Sequence, residues 1–260
     1  MVTRSILRPV LRPMPLPLTL TFDDGPPFPR SLFSAGEQGI WLDPSDFSTL
    51  FQDAAGTTPV TAVGQPVGKI LDKSGRGNHA SQTTSASRPT LQQDSNGMYY
   101  LSFDGTDDGM ATPSIDFTGT DKMTVWAGVR KNSDAGTMCI AELSAITGVN
   151  QGAFILFNGK ADGSAGAAFT LRSFGTAQAS AATPLTYTSP ASAVLTGQSD
   201  IAGDICRIRG NNDSPVTAAN DQGTGTYGNY PLYIGRRGGA SLPFNGRIYQ
   251  LIVRGAASNA

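Results

Sequence analysis

The chain has 260 residues, a formal net charge of -1 and only 15% charged residues. The near-neutral charge argues against nucleic-acid binding by the whole molecule, and the lack of an apolar run of about 18 residues argues against a membrane-spanning helix. With 31 glycines, 17 prolines and glutamate only at Glu37 and Glu142, the chain favours turns over helices, yet 39% hydrophobic residues suffice for a core. The composition predicts a folded all-β domain.

Residues 1–36 differ from the rest and are predicted to form an extended arm, with a sandwich domain over residues 37–260. The stretch "ILRPVLRPMPLP" (6–17) carries four prolines, which exclude a helix, favour a polyproline-like path and interrupt the apolar run of a signal peptide. The arm is either a disordered tail or, as we favour, an anchor that becomes ordered against another subunit. The predicted anchoring residues are Arg4, Leu7, Arg8, Leu11, Arg12 and Leu16.

The stretch "LTLTFDDGPPFP" (18–29) resembles the first motif of the polysaccharide deacetylase (NodB-like) family. That resemblance implies a metal site completed by a pair of histidines. The sequence has a single histidine, His79, which excludes this site. The stretch instead predicts a short strand that ends in an Asp-Gly-Pro turn. His79 itself is interpreted as a hydrogen-bonded loop residue.

From residue 37 onward, short apolar runs bounded by Gly, Asn, Asp or Pro predict the strands of a sandwich or barrel. The predicted strands are 98–103, 122–131, 136–143, 153–158, 167–174, 192–197, 204–210, 231–235 and 247–255. In the last strand, alternation places Ile248 and Ile252 on one face and Tyr249 on the other. A single helical turn is predicted at 44–53, capped by Ser45 or Asp46.

Four stretches in order resemble the concanavalin A-like lectin/glucanase superfamily, in its laminin-G-like branch. They are "ILDKSGRGNHASQ" (70–82), "YYLSFDGTDDGMATP" (99–113), "KMTVWAGVR" (122–130) and "LYIGRRGGASLPFNGRIYQLIV" (232–253). The resemblance implies a jelly-roll sandwich of two sheets, with the N- and C-terminal strands adjacent. Trp126 lies in a predicted strand and is expected in the core, and Trp41 is expected where the arm meets the sandwich.

Residues 39–80 also resemble segments of tailed-bacteriophage virion proteins, in which a laminin-G-like domain follows a short attachment region. This resemblance implies a structural protein of the virion that assembles in the host cytoplasm and contacts other virion proteins through the arm. A homo-oligomer, with a trimer favoured, would bury the apolar residues of the arm. The alternative is a free-standing carbohydrate-binding module.

No catalytic site is predicted. Glycoside hydrolases of the superfamily need paired carboxylates, whereas no second acid lies within five residues of Glu142. Cys139 and Cys206 match no metal spacing and are predicted to be buried thiols, with a disulfide as the alternative.

Binding sites are predicted in two turns. The "FDGTDDG" turn offers Asp104, Asp107 and Asp108 as Ca²⁺ ligands, with simple turn chemistry as the alternative, and Asp72 and Asn78 lie in a similar turn. No other cofactor is predicted. A host-surface glycan would stack on Tyr227 and Tyr230 in the glycine-rich "GTGTYGNYPLY" (223–233).

Overall fold

A computed structural model of the protein describes residues 29–145 and 151–258. The predicted anchoring residues of the arm and the "FDDGPP" segment lie outside these ranges. Short 3-10 helices span Arg30–Phe33, Phe47–Thr49 and Ser85–Ser87, and no helix among the described residues is long and apolar enough to cross a membrane. The rest of the regular structure is antiparallel β.

The strands form two packed sheets. Sheet 1 contains β1 (Gly39–Leu42), β5 (Thr90–Gln93), β6 (Tyr99–Asp104), β8 (Lys122–Lys131), β13 (Ala191–Asp200), β14 (Ile205–Gly210), β15 (Val216–Thr217) and β17 (Asn245–Arg254). Sheet 2 contains β2 (Leu50–Phe51), β3 (Lys69–Ile70), β4 (Ala80–Ser81), β7 (Met110–Asp116), β9 (Met138–Leu143), β10 (Ala153–Asn158), β11 (Phe169–Phe174), β12 (Gln178–Ala182) and β16 (Asn229–Ile234). The predicted all-β jelly-roll sandwich is confirmed.

Strand order places β8 and β17 in the middle of sheet 1, which runs β15-β14-β13-β8-β17-β6-β5, with β1 also pairing with β17. Sheet 2 runs β12-β11-β10-β9-β16-β7-β4-β3-β2. The pairing of Gly39 with Arg254 and of Leu42 with Leu251 joins β1 to β17. The first and last strands are therefore adjacent, as the resemblance implied.

The core lies between the sheets and is built from alternate residues of each strand. In β8, Val125, Ala127 and Val129 are buried in the main cluster, so Trp126 and Gly128 point to the opposite, outer face of sheet 1. Cys139 and Cys206 are both buried and unpaired, which confirms buried thiols over a disulfide.

The start of β1 is fixed by the loop that follows β3. The buried carboxylate of Asp72 accepts hydrogen bonds from the backbone N–H groups of Trp41 (2.9 Å), Ser74 (2.8 Å) and Asn78 (3.0 Å). His79 accepts a hydrogen bond at Nδ1 from the backbone of Asp72 (2.9 Å), as expected of a loop residue. Asp72 therefore acts as a structural acceptor that fixes this loop to β1.

Residues just before β1 pack on the sandwich. Phe33, which the sequence analysis assigned to the arm, is buried with Trp41 and Ile252 in a small apolar cluster on sheet 1. Arg76 donates a hydrogen bond to the carbonyl of Phe33 (2.5 Å), and Arg254 pairs with Glu37 (2.5 Å). Trp41 thus lies where the N-terminal segment meets the sandwich, as predicted.

The helical turn and the last strand differ in detail from their predictions. Asp46 caps the 3-10 turn Phe47–Thr49 by accepting from the backbone of Ser48, but the chain extends into β2 at Leu50. In β17 a bulge between Ile248 and Gln250 interrupts the pairing with β8. Ile248 therefore faces the core and Ile252 the outer face, so the prediction that they share a face is wrong.

Candidate functional site

An open groove crosses the outer face of sheet 1 near the middle of β8. It has a volume of about 450 Å³ and continues into a second depression of about 260 Å³, and the two share Met98, Gly128, Val194 and Tyr249. The groove therefore runs across the strands, from the β5–β6 turn over β17 and β8 to β13.

The floor of the groove is the bare backbone of Gly128. Gly128 pairs with Gln250 on one side and with Val194 on the other. A Cβ atom built on Gly128 would lie 3.5 Å from Cβ of Tyr249, within ordinary van der Waals contact. The fold thus tolerates a side chain here, and glycine leaves the space above the sheet open.

Aromatic side chains form the walls. The half-buried Trp126 lines the groove and packs against the cluster of Phe33, Trp41 and Ile252, which holds its indole in place. Tyr249, the residue at the bulge in β17, also lines the groove. Its hydroxyl donates to Asp94 Oδ2 (3.2 Å). Both rings are therefore supported from behind while part of their surface faces the groove.

Aliphatic side chains extend the apolar surface. Met98 is 55% exposed and Val194 is 60% exposed, and both lie in the groove. Large apolar side chains this exposed within one concave surface are typical of a binding site. Their polar neighbours supply hydrogen-bonding groups around the rim: Asp43, Ser45, Asn96, Ser192, Asn211 and Gln250.

Each carboxylate that lines the groove already has partners. Asp43 pairs with Lys73 (2.8 Å). Asp94 accepts from the backbone N–H groups of Met98 and Asn96 and from the Tyr249 hydroxyl. These bonds, the one from Met98 first, and the positive charge of Arg247 lower the pKa of Asp94. Burial raises the pKa of Tyr249. At neutral pH the groove therefore presents a neutral tyrosine held by an ionised aspartate.

The glycine-rich loop predicted to bind a glycan is arranged differently. Tyr227 is fully buried, and its hydroxyl shares a 2.8 Å hydrogen bond with Ser173. Burial raises the pKa of Tyr227 well above the usual value for a tyrosine. The side chain has no exposed face for a sugar ring, so its assignment to a glycan site is wrong. Tyr230 is half-buried against the core, and its hydroxyl donates to the carbonyl of Gln151 (3.0 Å).

The three aspartates of the "FDGTDDG" turn do come together. One oxygen from each of Asp104, Asp107 and Asp108 lies within 4.8 Å of the others. Asp104 accepts from the backbone of Thr106 (2.8 Å), and Asp107 accepts from the Ser87 hydroxyl (2.6 Å). These bonds serve the turn itself, and oxygen atoms from the three residues remain close enough to share one cation.

The electrostatics of this turn are uneven. Burial, with a smaller contribution from Asp104 and Asp107, raises the pKa of Asp108 to about 6. Burial also acts on Asp104, but hydrogen bonds from the backbone of residues 106–108 outweigh it and lower the pKa of that carboxyl. Asp108 thus holds its proton more tightly in the fold than Asp104 does.

The sequence did not predict the groove residues, for identifiable reasons. Trp126 lies in an apolar strand, a pattern that predicts a core position. Its outward direction could have been read from the alternation in β8, where Val125 and Ala127 face the core and Gly128 opens the other face. Tyr249 was harder to place because the bulge in β17 shifts the alternation locally.

Comparisons with known proteins show the fold. No protein-family model and no curated protein matches the chain. The receptor-binding domain of the botulinum neurotoxin C/D mosaic serotype matches with a TM-score of 0.54 and 7% identity, over 85% of this chain and 48% of that chain. The binding domain of Paraclostridial mosquitocidal protein 1 matches with a TM-score of 0.52 and 14% identity, over 73% of this chain and 47% of that chain.

Botulinum neurotoxin type C is also similar, with a TM-score of 0.52 and 7% identity, over 86% of this chain and 49% of that chain. The chain spans about half the length of each of these structures. At such identities the similarity shows a shared all-β sandwich architecture.

Proposed function

We propose that the protein is a glycan-binding domain whose ligand lies in the groove on the outer face of sheet 1. One observation carries the proposal: a bare floor at Gly128 lies between Trp126 and Tyr249, with Met98 and Val194 exposed beside them. Sugar rings have apolar C–H faces that stack on aromatic side chains, and their hydroxyls bond to polar groups of a rim. The groove offers both kinds of surface.

A protein of similar architecture supports the proposal. The cell entry of botulinum neurotoxin type C depends on interaction with two ganglioside molecules, and gangliosides are glycolipids. The fold is thus compatible with carbohydrate recognition. The location of the site in this chain rests on its own residues.

The experiment is to fill the groove without disturbing the fold. Gly128→Gln places a long side chain over the floor, while Gly119→Gln is the matched control, since a Cβ on Gly119 meets nothing within 4 Å. On a glycan array we expect the natural protein and the Gly119 variant to bind the same glycans and the Gly128 variant to bind none. Equal binding by all three, or no binding by the natural protein, would refute the proposal.

We further propose that the domain is displayed on the virion of a tailed bacteriophage, as a tail or collar appendage or a capsid decoration. The support is the resemblance of residues 39–80 to virion segments and the proline- and arginine-rich arm over residues 1–36. The arm would contact other virion proteins, and a homo-oligomer, with a trimer favoured, would present several grooves to a host-surface glycan. The protein would bind without catalysing a reaction.

The rival is a free-standing carbohydrate-binding module, for which the arm is dispensable. The 260-residue chain and a variant that starts at residue 29, and so keeps Phe33, separate the two. We expect light scattering to show an oligomer only for the 260-residue chain, and only that chain to be incorporated into particles. If deletion of residues 1–28 changes neither, the free-standing module is the better account.

A further inference from the structure

Beside the groove, two arginines face each other across neighbouring strands. Arg247 of β17 pairs directly with Arg130 of β8. Directly paired residues lie on the same face of a sheet, and Arg130 is two positions from Gly128, so both arginines lie on the outer face. At about 3.3 Å per residue along a strand, the row of the arginines lies about 7 Å from the floor of the groove.

Neither guanidinium forms a contact ion pair with a described residue, and Asp94 attracts Arg247 from beyond 4.0 Å. No carboxylate oxygen lies within 4.0 Å of Arg130 or Arg247, and Arg130 makes no hydrogen bond to a described residue through its side chain. The residues that flank the pair in the register are Ser102 and Ser192, which carry no charge. Asp94 accepts hydrogen bonds from Tyr249 and from backbone N–H groups, so this one carboxylate interacts with Arg247 only at a distance and leaves the two arginines with one acid between them.

One of the two arginines is held in position. Arg247 lies over the ring of Tyr100, 4.6 Å from the ring centroid, and Tyr100 in turn packs against Tyr249 with centroids 5.2 Å apart. The guanidinium is thus connected to Tyr249 in the wall of the groove through a cation–π contact and a tilted contact between two tyrosine rings. A group held this way loses little conformational freedom when it binds a ligand.

Like charges directly opposite each other across two strands destabilise a sheet. An anion placed between Arg130 and Arg247 would offset that repulsion. Arginine also matches the geometry of carboxylate and sulfate groups, to which it donates paired hydrogen bonds. The arginine pair therefore fits an acidic ligand.

Resting on the glycan-binding function proposed above, we propose that the groove selects acidic glycans, whose carboxylate or sulfate lies between Arg130 and Arg247. The sugar ring stacks over Gly128 between Trp126 and Tyr249, and the acidic group reaches the neighbouring row of the sheet. Neutral glycans of the same core bind more weakly because they bring no negative charge to the arginine pair.

The test measures affinity for matched pairs of probes: 3'-sialyllactose against lactose, and chondroitin sulfate oligosaccharides against their desulfated forms. For at least one pair, we expect the acidic member to bind about tenfold tighter, since a charge-assisted hydrogen bond contributes more than a neutral one. Arg130→Gln and Arg247→Gln should each remove that preference. Arg207→Gln is the control, because this arginine lies on the same face but bonds to Gln198. Raised salt should reduce the preference of the natural protein.

The outcomes separate the inference from the function on which it rests. Equal affinity for acidic and neutral probes, lost in Gly128→Gln, would overturn the acidic preference and keep the glycan site. A preference that survives in both arginine variants would place the acidic subsite elsewhere and overturn the inference. No binding of any probe, together with no hit on the array, would overturn both.

Discussion

Gly128 and Tyr249 lie against each other on neighbouring strands, so that a Cβ on the glycine would be 3.5 Å from that of the tyrosine. The contact explains how the outer face of sheet 1 can be open at Gly128 and still have an aromatic side chain beside the opening. The glycine leaves the centre open, and the bulge in β17 turns Tyr249 upward beside it. The groove would be closed if β17 had no bulge and position 128 of β8 carried a larger side chain.

We expect the ring of Tyr249, and not its hydroxyl, to contact the glycan. Tyr249→Phe removes the hydrogen bond to Asp94 but keeps the ring, so affinity for a glycan ligand should fall by no more than about threefold. Tyr249→Ala removes the stacking surface and should lower it about tenfold. Titration calorimetry of both variants checks this, and equal losses would show that the hydroxyl, not the ring, contacts the ligand.

Tyr227 is expected to contribute to stability and not to binding. Its hydroxyl belongs to a buried chain that continues from Ser173 to Ser199 (2.8 Å) and links the two sheets. Tyr227→Phe should therefore lower the free energy of unfolding by about 1 kcal/mol. Urea denaturation measures this change, and glycan affinity should remain that of the natural protein. A variant with full stability and lost binding would reverse our assignment.

We expect Asp108 to make the stability of the fold depend on pH in an unusual direction. Its pKa in the fold, about 6, exceeds the ordinary 3.8, so the folded state holds the proton more tightly than the unfolded state. The contribution of this group to stability is therefore favourable at low pH and is lost as the pH rises from about 4 to 6. Asp108→Asn should raise the melting temperature at pH 7.5, and this gain should shrink towards pH 4.

The control for this experiment is Asp116→Asn. Hydrogen bonds from the side chain and the backbone of Thr118 lower the pKa of Asp116, so this variant should lose stability at pH 7.5 instead of gaining it. A gain for Asp108→Asn that is the same at every pH would show that charge is not its cause.

The same turn allows a direct test of the predicted Ca²⁺ site. If Asp104, Asp107 and Asp108 share the ion, about 5 mM Ca²⁺ should raise the melting temperature at pH 7.5. The increase should be smaller at pH 5, where Asp108 is largely protonated, and absent in Asp108→Asn. No increase in the natural protein at pH 7.5 would leave the trio as turn chemistry alone.

We expect the part of the N-terminal segment that contains Phe33 to stabilise the domain and residues 1–28 to contribute little to its stability. Phe33 is buried between Trp41 and Ile252, so Phe33→Ala should cost about 3 kcal/mol of stability. Deletion of residues 1–28 leaves this contact in place and should change the unfolding free energy of the domain very little. Chemical denaturation compares the two. An unchanged stability in Phe33→Ala would show that the segment is not part of the domain.

Much of the fold could be predicted because strand signals in this chain are local. Residues 122–131 and 153–158 form strands with the predicted bounds, and Asp46 caps the predicted turn. The adjacency of the first and last strands followed from the resemblance. Two-residue strands such as β2, β3 and β4 escaped prediction, since their pairing depends on contacts from distant parts of the chain.

The site was less predictable because its residues depend on register and on long-range packing. Tyr227 sits among glycines, a typical sign of an exposed loop, yet Ser173 offers its hydroxyl a buried partner. Arg130 and Arg247 are over a hundred positions apart and become neighbours only through the register of β8 and β17. The acidic trio, by contrast, lies within one turn and was found from the sequence.

The most direct test of the glycan groove compares an aromatic residue of the groove with an aromatic residue of the glycine-rich loop. Trp126→Ala removes a wall of the groove, whereas Tyr230→Ala removes the half-buried tyrosine of the glycine-rich loop. Both variants are first checked for folding by circular dichroism and then titrated with a glycan identified on the array. The account predicts at least a tenfold loss of affinity for Trp126→Ala and none for Tyr230→Ala. Loss in Tyr230→Ala with full affinity in Trp126→Ala would contradict it and return the binding site to the loop.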